Sequence, residues 1–237
     1  MWNASWDLPM VQYMNLTDGV IFPCSIEITD AELIVGKGII KWKDKLYIMT
    51  DPATVPYAPT EHWRMLKLRF LPQSESKDFI LFKTDIFLDD TTELREDEME
   101  ICRFKLKAGS RLRQDYVDFH DLNTEFDTLN ILHVPYAGME RPTIAPYVTR
   151  YFAKEAYPLT VGMPFDNAFA GLCLNNRTPV DRELVLDYIR ARLAKKDEDM
   201  PNEEVYRCLS IILADIYKGI AVDGYNRRSR DKKILVE

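Results

Sequence analysis

The chain changes texture near residue 140, and that change constrains its fold more than any single motif does. Before it, short segments alternate apolar and polar residues with the period of two of a half-buried strand. After it, prolines punctuate short stretches whose apolar residues recur at helical spacing. Strands followed by helices, rather than strands alternating with helices, point to the α+β class. We expect an antiparallel β-sandwich or barrel-like N-terminal part, then a small helical C-terminal part with an αα-hairpin. The expected divisions are a β domain over 1–138, a helical domain over 139–225 and a basic C-terminal arm over 226–237.

Three strands are clearest. In Arg64 to Phe70, Leu66, Leu68 and Phe70 share one face while Lys67 and Arg69 share the other. Phe79 to Leu88 brings Ile80, Phe82, Ile86 and Leu88 together, and Cys102, Phe104 and Leu106 alternate with Arg103, Lys105 and Lys107. Such alternation predicts antiparallel strands with one face in water. The link from Asp89 to Glu100 is strongly acidic and reads as a charged hairpin loop. Upstream, Val20 to Ile28 reads as an edge strand around Pro23. Ala31 to Val35 and Gly38 to Trp42 follow as short strands, and Lys43-Asp44-Lys45 is a hairpin tip leading into Leu46 to Met49. Asp51 to Thr60 holds Pro52, Pro56 and Pro59 and reads as an extended loop. Ser110 to His120 fits helix and strand alike, and Leu129 to Val134 reads as a further strand.

In the second half, Pro146 suits the first turn of a helix that stops at Pro158. Asp166 is placed to cap a short helix through Leu172. Thr178-Pro-Val-Asp181 is a start signal, with Thr178 as cap, Pro179 at the first helical position and Asp181 in the first turn, for a helix with the stripe Val180, Leu184, Val185, Tyr188, Ile189 and Leu193. Pro201 opens the last helix, whose inward line is Val205, Leu209, Ile212 and Ile216, with Gly219 near its end.

Composition narrows the function classes. The 237 residues carry a formal net charge of −7, which argues against a surface that grips nucleic acid throughout. Cys24, Cys102, Cys173 and Cys208 form no paired spacing and read as reduced core residues. No apolar run approaches the roughly 20 residues that span a bilayer. The opening Met-Trp-Asn-Ala-Ser-Trp-Asp lacks the basic and apolar regions of a signal peptide.

Residue types that carry chemistry are sparse. Of His62, His120 and His133, His120 has the best local site, in Asp118-Phe-His-Asp121. That tetrad suits a metal or an acid–base pair, and equally a surface turn. Asp85, Glu98 and Glu100 match the acids of metal-dependent nucleases, without the Glu-x-Lys element. Val35-Gly-Lys-Gly38 is too short for a phosphate loop. We therefore expect no catalytic, metal or cofactor residues and no enzyme. The alternatives kept beside this are a metal-assisted hydrolase or nuclease using His120 and nearby acids, and a protein-binding adaptor.

Two basic groups invite a partner. Arg103, Lys105, Lys107, Arg111 and Arg113 follow one strand. Arg227, Arg228, Arg230, Lys232 and Lys233 crowd the end of the chain, followed by Ile234, Leu235 and Val236. Either group suits a local contact with DNA phosphates. The terminal group also suits an arm that lies on another copy and adds a short strand to its sheet edge.

The run Asn130-Ile-Leu-His-Val-Pro-Tyr-Ala-Gly-Met-Glu-Arg-Pro-Thr-Ile-Ala-Pro-Tyr-Val, with the following helix from Thr149 to Ala156, resembles virion proteins of crAss-like tailed phages. The resemblance covers about a tenth of the chain and includes no catalytic residue. It implies a structural part of a portal–neck–tail assembly or capsid, present as a homo-oligomer with other structural proteins. The implied location is the virion, assembled in the host cytoplasm.

Overall fold

The computed structural model describes Tyr13 and residues 15–72, 74–75, 80–81, 83–176, 178–196 and 198–221. The mixed α+β architecture follows the change of texture: strands fill the first half and helices the second. Among the described residues there are three small three-stranded sheets, all antiparallel, and no closed barrel.

The first sheet orders β1 (Gly19–Phe22), β4 (Gly38–Trp42) and β5 (Lys45–Met49) with β4 central. β4 and β5 are joined by Lys43 and Asp44, at φ 44° and 61°. Two successive positive φ values are what a tight two-residue hairpin needs to match strand twist. The second sheet orders β2 (Ile26–Ile28), β3 (Glu32–Val35) and β6 (Ala53–Pro56). The run expected as one edge strand is thus two, broken at Pro23 and shared between sheets. The proline-rich loop expected over Asp51 to Thr60 contains β6, an edge strand whose outer side needs no donor from Pro56.

The third sheet orders β10 (Thr84–Asp89), β7 (Arg64–Phe70) and β11 (Glu98–Phe104), with β7 central. Leu66 and Leu68 of β7 face Leu88 and Ile86 of β10. On the other side, a register shift between Glu100 and Cys102 sets Glu98 opposite Arg69 and Glu100 opposite Lys67. β8 (Ser74–Glu75) and β9 (Ile80–Leu81) form a small two-stranded pair. Leu129 to Val134 is not a strand; it meets β11 through one bridge, Asn130 to Arg103. Ser110 to His120 is irregular up to the 3-10 turn His120–Asn123.

Four helices follow: α1 (Pro146–Leu159), α2 (Pro164–Asn175), α3 (Arg182–Leu193) and α4 (Asn202–Tyr217). Pro146 stands in the first turn of α1, where its missing N–H is no loss, and Pro158 falls in the last turn. α2 starts two residues before Asp166, so Asp166 is no cap; it is buried and accepts from Tyr188 Oη at 2.8 Å. The cap of α3 is Asp181, not Thr178: its Oδ1 accepts from Glu183 N at 2.9 Å. On α4, Val205, Leu209, Ile212 and Ile216 are all buried as their spacing requires. On α3, Leu184 is the exception, 43% exposed among buried Val185, Tyr188 and Ile189. The buried side chains of strands and helices form one continuous apolar cluster from Val20 to Ile216. None of these helices is long and apolar enough to cross a membrane.

Candidate functional site

Two adjoining clefts open where β1 and the start of β2 meet the first turns of α1. Gly19 permits the approach: a Cβ there would lie 2.6 Å from Ala137 N and 2.7 Å from Tyr136 C. β1 therefore runs against 135–137, with Val20 N donating to Pro135 O at 2.9 Å and Ala137 N donating to Val20 O at 3.0 Å. This pairing fixes Tyr136 at the wall between the clefts, which share it with Pro23 and Tyr147.

The first cleft encloses about 560 Å³ and is walled by Tyr116, Tyr136, Tyr147 and Tyr151 above aliphatic residues such as Ile26 and Ile101. Tyr116 and Tyr151 meet edge to face, with ring centres 5.9 Å apart. Their hydroxyls are used up in holding the wall: Tyr116 Oη donates to Leu129 O at 2.7 Å and Tyr151 Oη to Tyr116 O at 3.1 Å. Gln114 Nε2 donates to Ile26 O at 2.5 Å, tying the rim to β2. Among the described residues Asp115 supplies the only charged side chain of the lining; it is exposed and stands 3.8 Å from Arg113 Nη1. Burial pushes the Tyr116 and Tyr136 phenols up, and pushes the Cys24 thiol up to about 11. All three stay neutral near pH 7, so Cys24 is no thiolate nucleophile. The interior is an uncharged aromatic box with a carboxylate at its mouth. It can take an apolar group, or a cation against the tyrosine faces.

The second cleft, about 520 Å³, is bordered by Phe22, Met139, Pro146, Tyr147 and Arg150. Phe22, Met139 and Tyr147 are 47%, 66% and 50% exposed, and Tyr13 packs edge-on to Phe22 at 5.9 Å. Large side chains grouped in this way leave apolar surface in water that a partner would cover.

The acidic residues are engaged elsewhere. The face of Lys67 and Arg69, expected in water, is covered by the 89–98 segment. Lys67 is 1% exposed; its Nζ donates to Asp89 Oδ2 at 2.8 Å and to Glu93 O, and stands 3.5 Å from Glu98 Oε2. Arg69 holds Glu98 Oε1 at 2.7 Å and stacks 4.3 Å from the Phe87 ring. Glu100 is gripped by Arg103 at 2.7 and 2.5 Å. Burial pushes the Glu98 carboxyl up, but the hydrogen bonds of Arg69 and Arg95 N and the charge of Lys67 outweigh it. Glu98 is left below the usual carboxylate range, and Lys67 draws Asp89 down in the same way. Of the acids that matched a nuclease pattern, Glu98 pairs across the strands with Arg69, Glu100 pairs along its own strand with Arg103, and Asp85 lies opposite Arg69 on the far strand.

His120 opens the 3-10 turn and faces a shallow hollow with Glu203, Tyr206 and Arg207 of α4. Its neighbouring acids are engaged by other partners, Asp118 by the backbone and Asp121 mainly by Arg113. Asp118 Oδ1 accepts from Asp121 N at 2.8 Å. Asp121 accepts from Arg113 at 2.6 and 2.8 Å, from Thr124 Oγ1 at 2.7 Å and from Val117 N at 2.9 Å. The Arg113 bonds, with those of Thr124 and Val117, hold the Asp121 carboxyl well below its usual range. Asp118 and Asp121 therefore build the loop rather than complete a site with His120. Among the described residues, no group of three or more His, Cys, Asp or Glu is placed to hold a metal.

The basic residues that follow β11 are also paired. Arg103 meets Glu100, Lys105 meets Glu125, Arg111 meets Asp30 at 3.6 Å and Arg113 meets Asp121. Lys107 Nζ lies 4.4 Å from the Phe126 ring centre. Arg227, Arg228, Arg230, Lys232, Lys233, Ile234, Leu235 and Val236, singled out as an arm, lie outside the described residues.

Sequence reasoning did not find the clefts. Tyr147 and Tyr151, four apart at the start of a helix, were the one local signal. Tyr116 and Tyr136 reach them only through the fold. No family model matches the chain, and neither a curated protein nor a solved structure matches it.

Proposed function

We propose that this chain is a non-catalytic structural subunit that assembles with copies of itself through the double cleft beside α1. The observation that carries this reading is the exposed apolar border of Phe22, Met139 and Tyr147, continuous with an aromatic cleft. Cleft and border together offer the apolar centre that subunit interfaces bury. The engagement of Asp121, Glu98 and Glu100 in ion pairs supports the same reading, because it leaves them to stabilise loops and sheet. The resemblance to virion proteins of crAss-like tailed phages supplies the setting: a neck or tail ring, or a capsid-associated part, within the virion. On this reading the sheets of 1–138 pack as a sandwich-like body. The helices of 139–225, with α3 and α4 as a hairpin, carry one wall of the interface, and 226–237 is an arm.

Light scattering on the purified chain, alone and with the proteins encoded beside it, tests the proposal. A discrete closed oligomer, or a defined complex with a neighbouring structural protein, is expected. A chain that stays monomeric at all concentrations and binds none of those proteins overturns it.

A further inference from the structure

We infer that the tyrosine cleft is the receptor for residues 226–237 of a neighbouring copy. The inference rests on the assembly reading above and names the segment that fills its first cleft. The chemistry of the two parts matches piece by piece. The segment brings Arg227, Arg228, Arg230, Lys232 and Lys233, then Ile234, Leu235 and Val236. The cleft offers the faces of Tyr116, Tyr136, Tyr147 and Tyr151, a carboxylate at Asp115 and an aliphatic floor with Ile26 and Ile101. Among the described residues no lysine or arginine lines the cleft, but Arg113 Nη1 stands 3.8 Å from Asp115 Oδ1 and Lys154 Nζ 4.6 Å from the Tyr151 ring centre, so an incoming cation competes with these two and binds best over Tyr116 and Tyr147. Guanidinium and ammonium groups bind over tyrosine faces, most strongly where water is partly excluded. The three aliphatic residues then have a floor on which to lose their contact with water.

Backbone geometry adds a second match. The outer edge of β2 lies at the cleft, because β3 pairs with its other side. On that edge Ile26 O accepts from a side chain, Gln114 Nε2. An extended segment that displaced Gln114 would gain a backbone partner there, the usual economy of strand addition.

The described chain ends four residues after Tyr217, with Ile220 O held by Arg192 of α3 at 2.9 Å, and α4 itself is tied to α1. Tyr217, the last residue of α4, donates from its hydroxyl to Glu155 Oε2 at 2.9 Å. Glu155 lies one helical turn of α1 beyond Tyr151, a wall of the cleft. Residues 222–237 span up to roughly 50 Å when extended. The assembly reading assigns that reach to the cleft of an adjacent copy.

The test uses a labelled peptide of residues 226–237 and the chain cut after Ala221, read by fluorescence anisotropy. Saturable binding is expected. Tyr147→Ala, at a half-exposed position, should weaken it about tenfold, equivalent to about 1.4 kcal/mol. Asp115→Arg, at an exposed position, should weaken it several-fold and reduce its salt dependence. A peptide with Ile234, Leu235 and Val236 replaced by serine should bind more weakly than the parent. Absence of saturable binding up to about 1 mM, where binding free energy falls to about −4 kcal/mol, overturns the inference. Equal binding by the Tyr147→Ala chain overturns it too. Light scattering on the uncut chain separates the two proposals. An oligomer whose cut form ignores the peptide leaves assembly standing and removes the receptor. Peptide binding by the cut form of a monomeric uncut chain assigns the tail to its own cleft and overturns the neighbour-copy inference.

Discussion

The sheet β7–β10–β11 and the helices α1–α4 bury their polar residues differently. In the sheet, charge is buried as a network: Lys67, Glu98 and Glu100 are each at most 3% exposed, and each has an oppositely charged partner. In the helices, the inward stripes are apolar and charge is buried at two points, Arg182 and the Asp166–Arg192 pair. Arg182 clamps the α3–α4 connection by donating to Asn202 Oδ1 at 2.6 Å and to Met200 O. The sheet's register is thus written in ion pairs, whereas the helices are placed by shape. A buried pair is costly to break from one side, because the partner is left charged in a poor solvent. A buried leucine costs according to the cavity it leaves.

The largest expected effect breaks the network from one side. Glu98→Ala takes the carboxylate from Arg69 and one of two from Lys67, which keeps Asp89, and should cost about 3 kcal/mol in chemical denaturation. Lys67→Met combined with Glu98→Ala should cost less than the two single changes added together, giving a coupling of about 0.5–3 kcal/mol. Additive costs would show that the sheet, too, is held by shape alone. Next comes Leu209→Ala on α4, fully buried, at about 2–5 kcal/mol. A change near zero would place that stripe outside the core.

The pH dependence should separate the regions further. Asp121, Glu98 and Asp89 all have folded-state pKa values below the usual range. The unfolded chain then binds more protons than the folded one in the window below about pH 4. Their stabilisation is present above that window and is lost as pH falls through it. Melting temperature should therefore be level from neutral pH down to about pH 5 and fall below about pH 4. Asp121→Asn should lower stability at pH 7 by about 1–3 kcal/mol and flatten the acid fall. An unchanged acid limb in that variant would contradict the assignment of Asp121 as the loop's ionised anchor.

The smallest expected effect on stability is at the border of the second cleft. Met139→Asp and Phe22→Asp, at exposed positions, should stay within about 0.5 kcal/mol of the parent. Their effect should appear in association instead.

The regions also differ in how far the sequence revealed them. The helical stripe of α4 was legible because one side of a helix faces one neighbour, and spacing reports it directly. β7 was legible as a strand but misread as half wet. Period two distinguishes the two faces without saying what covers the polar one, and here the cover is the acidic segment 89–98 folding back on Lys67. The strand expected at Leu129 to Val134 failed because its apolar residues point into the core from an irregular segment that makes a single bridge. The double cleft was not legible at all. Its tyrosines come from a loop, a bridge and a helix that meet only because Gly19 lets β1 approach residues 135–137.

Sedimentation velocity on the parent chain and on the Phe22→Asp, Met139→Asp double variant tests the central claim of assembly most directly. A discrete parent oligomer is expected, and a variant reduced to the 27.7 kDa monomer with the same melting curve once dissociated. A parent that sediments as a monomer at every concentration, or a variant that assembles like the parent, would contradict it.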